Sequence, residues 1–238
     1  MKKIIAFIIA FCFVIGTKAQ NDIVIDPNAS VRNLTGQFDA IKVSGGIDLY
    51  LSQSDNIAIA VSASDEKFKE GIKTVIEDGI LKIFYKGEIS WKKKDRKLRV
   101  YVSFKDIKKL EGSGASDIIV SGSLNVAELA IKMSGASDFT GKVKTDVLKL
   151  DLSGASDAKI SGTAGTFVVE SSGASDVKGY DLVTDICKVN VSGASDVYIT
   201  VNTELSASAT GASDVKYKGT ALIKDMHTSG ASSIAKKD

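Results

Sequence analysis

Seven near-copies of one pentapeptide run through the second half of the chain. Ser113–Asp117, Ser134–Asp138, Ser153–Asp157, Ser172–Asp176 and Ser192–Asp196 read SGASD, Thr210–Asp214 reads TGASD and Ser229–Ser233 reads SGASS. The fifth positions follow one another at intervals of 21, 19, 19, 20, 18 and 19 residues. A unit near twenty residues is too short to bury a core of its own, so it has to stack on its neighbours, and a period of this size marks a stacked-repeat architecture.

Aligned on the pentapeptide, the flanking columns separate by polarity. Three residues before each first position stand Leu110, Ile131, Leu150, Val169, Val189, Ala207 and Met226, nearly all apolar. Two residues before stand Glu111, Lys132, Asp151, Glu170, Asn190, Ser208 and His227, all polar, and immediately after the fifth position come Ile118, Phe139, Ala158, Val177, Val197, Val215 and Ile234. Strands alternating inward and outward therefore flank every pentapeptide.

Both an array of antiparallel hairpins and a parallel β-helix use short alternating strands. Hairpins fix register through their turns, whereas the length variation here falls between the strand after one pentapeptide and the strand before the next, leaving the pentapeptide column intact. A single proline agrees with continuous ladders. The fold expected is all-β, a single-domain right-handed parallel β-helix, or β-solenoid, with coils of about 18–21 residues.

Residues 20–110 read as irregular coils of the same domain, 111–238 as regular ones. Ser44-Gly45-Gly46-Ile47-Asp48 looks like a diverged first copy, with Gly46 and Ile47 in place of Ala and Ser. Ser64 to Gly71 fits one or two helical turns capped by Ser64, and Glu77-Asp78-Gly79 fits a hairpin turn before Ile80 to Tyr85. Trp91, Lys92, Lys93, Lys94 and Arg96 form the most basic stretch, a solvated loop or a patch facing an anionic surface.

The first 19 residues have the form of a cleaved export signal: Lys2 and Lys3, an apolar run from Ile4 to Ile15, then Thr17-Lys18-Ala19. Phe11 ahead of Cys12 argues against lipid attachment there. Cleavage would remove Lys2, Lys3 and Lys18 from the 31 basic residues, leaving 28 against 29 acidic ones, net −1, so charge gives no case for nucleic acid. No later stretch is apolar enough to be a transmembrane segment. Cys187 is the sole cysteine of the mature chain and, aligned with Leu129, Leu148, Phe167 and Leu205, reads as core.

Two roles are open to the pentapeptide. As a corner, Gly supplies the unusual backbone angle, Ala points inward and Ser and Asp bond nearby amides. As a ligand surface, Asp117, Asp138, Asp157, Asp176, Asp196 and Asp214 present a column of carboxylates. Like charges one rung apart repel by about 0.9 kcal/mol in water and about 3.5 kcal/mol at an effective dielectric of 20. Backbone and hydroxyl donors, bound Ca²⁺ or a glycan could relieve that repulsion.

The segment Phe38-Asp39-Ala40-Ile41, Val43 to Asp48, followed by recurrent Ser-Gly-Ala-Ser-Asp coils behind an export signal, resembles the head GIN domain family of auto-transporter adhesins, common in exported Bacteroidetes proteins. The resemblance covers about Val31 to the end. It implies a β-solenoid exported from a Gram-negative cell to the periplasm, outer membrane or exterior, with an adhesin-like role. With Lys236-Lys237-Asp238 directly after the last repeat, no translocator barrel is expected.

Catalysis is poorly supplied. His227 is the only histidine and stands in an outward column, and a repeated carboxylate ladder makes its members alike where hydrolysis needs two in different environments. No metal-finger spacing, phosphate loop or cofactor fingerprint occurs. The expectation is a non-enzymatic binding module without cofactor, meeting a glycan or cell-surface partner and open to homo-oligomerisation at an unpaired solenoid end. The alternatives are a structural envelope scaffold and a calcium-dependent, polysaccharide-active β-helix.

Overall fold

The structure is a computed structural model of the chain, and it describes residues 13–15, 22–24, 26–87 and 96–237. The export signal expected over residues 1–19 falls mostly outside these. The strands are β1 (Phe13–Ile15), β2 (Asp22–Val24), β3 (Ser30–Arg32), β4 (Ala40–Ser44), β5 (Asp48–Gln53) and β6 (Ala58–Ser62). The short helix α1 (Glu66–Gly71) follows, then β7 (Ile72–Glu77), β8 (Ile80–Tyr85), β9 (Arg99–Phe104), β10 (Lys109–Ser113), β11 (Ile118–Asn125) and β12 (Glu128–Met133). The regular coils are β13 (Phe139–Leu152), β14 (Ala158–Ser171), β15 (Val177–Val191) and β16 (Asp196–Gly211), closed by β17 (Asp214–Lys218), β18 (Leu222–Gly230) and β19 (Ser233–Lys236).

Each coil is two arms meeting at the pentapeptide or at Ser44–Asp48, except the outermost pair β8 and β9, which residues 86–98 join. The arms before it stack in parallel in the order β8, β4, β10, β12, then the second halves of β13, β14, β15 and β16, then β18. The arms after it stack as β9, β5, β11, the first halves of β13, β14, β15 and β16, then β17 and β19. The parallel solenoid expected from the repeat is the fold.

Polarity columns become burial columns. Leu110, Ile131, Leu150, Val169, Ile118, Phe139, Val177 and Val197 lie between 0% and 1% exposed. Cys187 is registered between Phe167 and Leu205 in that core, as its column indicated. Register irregularities fall at Ile119/Ser123, Lys159/Gly162, Gly179/Val183, Thr184/Ile186 and Leu205/Ser206, never at the pentapeptide.

The N-terminal end departs from a simple succession of coils. Ser44 and Leu49 register with Ser113 and Ile118, so Ser44–Asp48 is an earlier corner of the same column. The chain then doubles outward: β8 and β9 stack on the far side of β4 and β5, while β7, β6 and β3 lie antiparallel along them and close that end. The turn into β8 is the expected one, with Asp78 and Gly79 at φ 53° and 74°. The helix cap is Asp65, whose carboxylate accepts the Lys67 N–H at 2.9 Å, in place of Ser64. Asp65 has the extended backbone that an N-cap requires, immediately before the first helical residue.

Candidate ligand-binding face

The pentapeptide is bonded from rung to rung through almost every polar atom it has. Its glycines adopt φ from +80° to +88°, and a Cβ on Gly173 would lie 2.4 Å from the Gly154 carbonyl oxygen, so both angle and space require glycine. Ala155, Ala174 and Ala194 N–H groups donate to the preceding glycine carbonyls at 2.8 Å. The inward residue is the second serine, not alanine: Ser116, Ser137, Ser156, Ser175, Ser195 and Ser213 are 0% exposed, while the alanines face solvent. The hydroxyls of Ser137, Ser175 and Ser195 accept the serine N–H of the coil before, at 3.1–3.2 Å. A buried alanine would leave those N–H groups unpaired, which selects serine inside.

The aspartate column is satisfied in the same way. Asp138, Asp157 and Asp176 each accept the N–H of the next aspartate, at 3.1, 3.1 and 3.2 Å. Lys178 Nζ donates to Asp157 at 3.1 Å, Tyr198 Oη to Asp196 at 3.0 Å and Ser233 Oγ to Asp214 at 2.7 Å. The Ser233 hydroxyl holds the Asp214 carboxyl below its ordinary value, helped by Lys216 at 3.5 Å. At the other end of the column, burial and the Asp138 charge push Asp117 up. Among the described residues no group of three or more His, Cys, Asp or Glu side chains is placed to hold a metal ion.

Of the basic stretch, Arg96 alone lies within the described residues. Trp91, Lys92, Lys93 and Lys94 lie outside them. Arg96 is half-buried, its guanidinium 4.8 Å over the Tyr85 ring, because the chain turns there to deliver Leu98 into the core. A guanidinium at this distance over a ring makes a cation–π contact. His227 is exposed, as its column indicated.

Columns projecting outward from the second stack of arms were not singled out in the sequence. Tyr101, Tyr50, Ile119, Thr140, Lys159, Lys178, Tyr198 and Lys216 register across successive rungs. Tyr50 and Tyr101 stack at 5.2 Å, with the Tyr101 hydroxyl donating to Asp26 at 2.8 Å. Near the opposite end Tyr180 and Tyr198 approach to 5.4 Å. Burial, with the Asp196 charge, lifts the Tyr198 phenol to about 12. Aligning the second residue after each aspartate, instead of the first alone, would have found this face.

A solenoid of nine stacked rungs among the described residues, internally bonded at its corners and presenting columned faces along its side, belongs to the class of stacked-repeat β scaffolds. A family model described as "Putative auto-transporter adhesin, head GIN domain" matches residues 37–221, and the chain belongs to this family. It is similar in fold to a crystal structure of a putative adhesin from Bacteroides fragilis, with a TM-score of 0.78 and 19% identity over 89% of this chain and 98% of that one. A putative lipid binding protein from Parabacteroides distasonis has a TM-score of 0.66 at 20% identity, over 90% and 98% of the two chains. A putative adhesin from Parabacteroides merdae has 0.62 at 19%, over 90% and 98%. Among curated proteins none matches the chain. No helix in the described residues is long and apolar enough to cross a membrane.

Proposed function

We propose that the protein is an exported, non-enzymatic, adhesin-like module that binds a glycan of a cell surface along the outward face of the arms after the pentapeptide. The observation that carries this reading is the regularity of that face: Thr140, Lys159, Lys178, Tyr198 and Lys216 project one per rung, at a spacing of about 4.8 Å. A polymer laid along the axis meets a polar or aromatic side chain at each step. The aspartate column contributes an edge to this face, its carboxylates already engaged with backbone donors.

Export is supported by the signal-like first 19 residues and by the family. Cell fractionation tests it, since a cytoplasmic protein would contradict the reading. For binding, a glycan array probed with the purified protein is expected to give saturable signals on a restricted set of glycans. Signals no higher than those of an unrelated β-protein would sink the adhesin reading.

One observation favours the second reading, a structural envelope scaffold. The corner donors and acceptors are nearly all spent between rungs, as a stiff spacer would need. An empty array together with envelope retention would select it.

A further inference from the structure

Three ammonium groups gather over two tyrosine rings at the C-terminal end of this face. Lys218 and Lys237 stand 4.9 and 5.3 Å from the Tyr180 ring centre, and Lys216 stands 5.6 Å from that of Tyr198. Tyr180 is brought there by the irregularity in β15 between Gly179 and Val183. Of the three ammonium groups, Lys216 reaches Asp214 at 3.5 Å, and the other carboxylates of the column are engaged with other donors: Asp157 with Lys178 and the Asp176 N–H, Asp176 with the Asp196 N–H, Asp196 with Tyr198. Among the described residues Lys218 and Lys237 have no ion-pair partner. The Tyr180 hydroxyl is buried without a hydrogen-bond partner.

Like charges crowded over apolar rings repel more strongly than in open water, and an orphaned hydroxyl costs desolvation without return. An anion answers both. Beyond Tyr198 the same column continues with Lys178 and Lys159 on the next two rungs, and a run of amines on either side of a tyrosine suits a polymer carrying several charges better than a single phosphate. The tyrosine rings suit the apolar face of a pyranose, and Val183, 42% exposed in the Lys218 column, is a single valine, too little apolar surface to enter a bilayer. On the proposed glycan-binding reading, we infer that the ligand is an acidic polysaccharide. The carboxylate of a uronate residue sits among Lys216, Lys218 and Lys237, its ring against Tyr198, and the Tyr180 hydroxyl gains a partner as the lysine stems draw toward the ligand.

The test titrates the purified protein with alginate oligomers as the polyuronate, dextran as the neutral polymer, polyphosphate, and phosphatidylglycerol vesicles. Alginate is expected to bind with an affinity that falls with added salt and drops about tenfold in the Lys218→Ala/Lys237→Ala double variant. Both lysines lie on the surface, and an unchanged melting curve establishes that the variant is folded. Lys188→Ala, on the opposite arm, is expected to leave binding as it was. Dextran binding as tightly as alginate, insensitivity to the double variant, or preference for polyphosphate or vesicles would overturn the inference. If neutral glycans on the array bind wild type and double variant alike, the acidic specificity falls while the adhesin reading stands.

Discussion

At the scale of single residues, the corner glycine is the position with least freedom. Gly173→Ala meets a strained angle and the Gly154 oxygen together, whereas Gly122, at φ 80°, has nothing within 4 Å of the added methyl. Gly173→Ala is expected to cost about 2 kcal/mol or more, a fall of roughly 4–8 °C in the melting midpoint, and Gly122→Ala about half that. Calorimetry of both variants checks it, and equal shifts would contradict the corner geometry. Asp117 behaves oppositely. Its folded-state pKa is raised, so its charge opposes folding above that pKa and the opposition vanishes as pH falls through it. Asp117→Asn should therefore melt above wild type near pH 7, by about 1–3 °C, with the two curves converging in acid. For Asp214, whose pKa is lowered, the sign reverses: its contribution is present above the unfolded value and lost as pH falls through the folded one. The glycine requirement was legible in the pentapeptide itself. The inward serine was not, because serine and alanine are alike in size, yet Ile47 in the serine column of the first corner was the signal that this position faces the core.

At the scale of elements, the repeated arms were readable because period-two polarity and a constant corner agree at every coil. The doubling back of β8 and β9 beyond β4 and β5 was not, since nothing local states which edge of a strand a later parallel strand will join. The candidate face was half legible. The lysines are visible in the sequence, but the meeting of Tyr180 with Tyr198 depends on an irregularity that only the register shows. The aspartate ladder gives an element-level prediction about metal. Carboxylates already accepting N–H, hydroxyl and ammonium donors have no need of a cation, so Ca²⁺ and chelator are expected to leave the melting midpoint unchanged. A midpoint raised by Ca²⁺ and lowered by chelator would show that the ladder takes the ion instead.

At the scale of the whole molecule, the two ends of the solenoid differ. Antiparallel strands close the N-terminal end, whereas among the described residues β18 and β19 pair on one side only, and Leu222, Ile223 and Met226 are 70%, 41% and 40% exposed on β18. We propose that a second copy covers this edge, which would satisfy its unpaired backbone groups as well. Sedimentation is expected to show self-association that Leu222→Lys weakens; a monomer at every concentration would contradict it. The central claim divides the molecule into a pentapeptide column that builds the scaffold and a lysine–tyrosine face that binds. Its most direct test measures melting and alginate affinity together in two double variants, Asp157→Ala/Asp176→Ala and Lys218→Ala/Lys237→Ala. The aspartate variant is predicted to melt lower while binding as tightly as wild type or tighter, and the lysine variant to melt normally while binding about tenfold more weakly. Loss of binding in the aspartate variant at an unchanged midpoint would contradict the account.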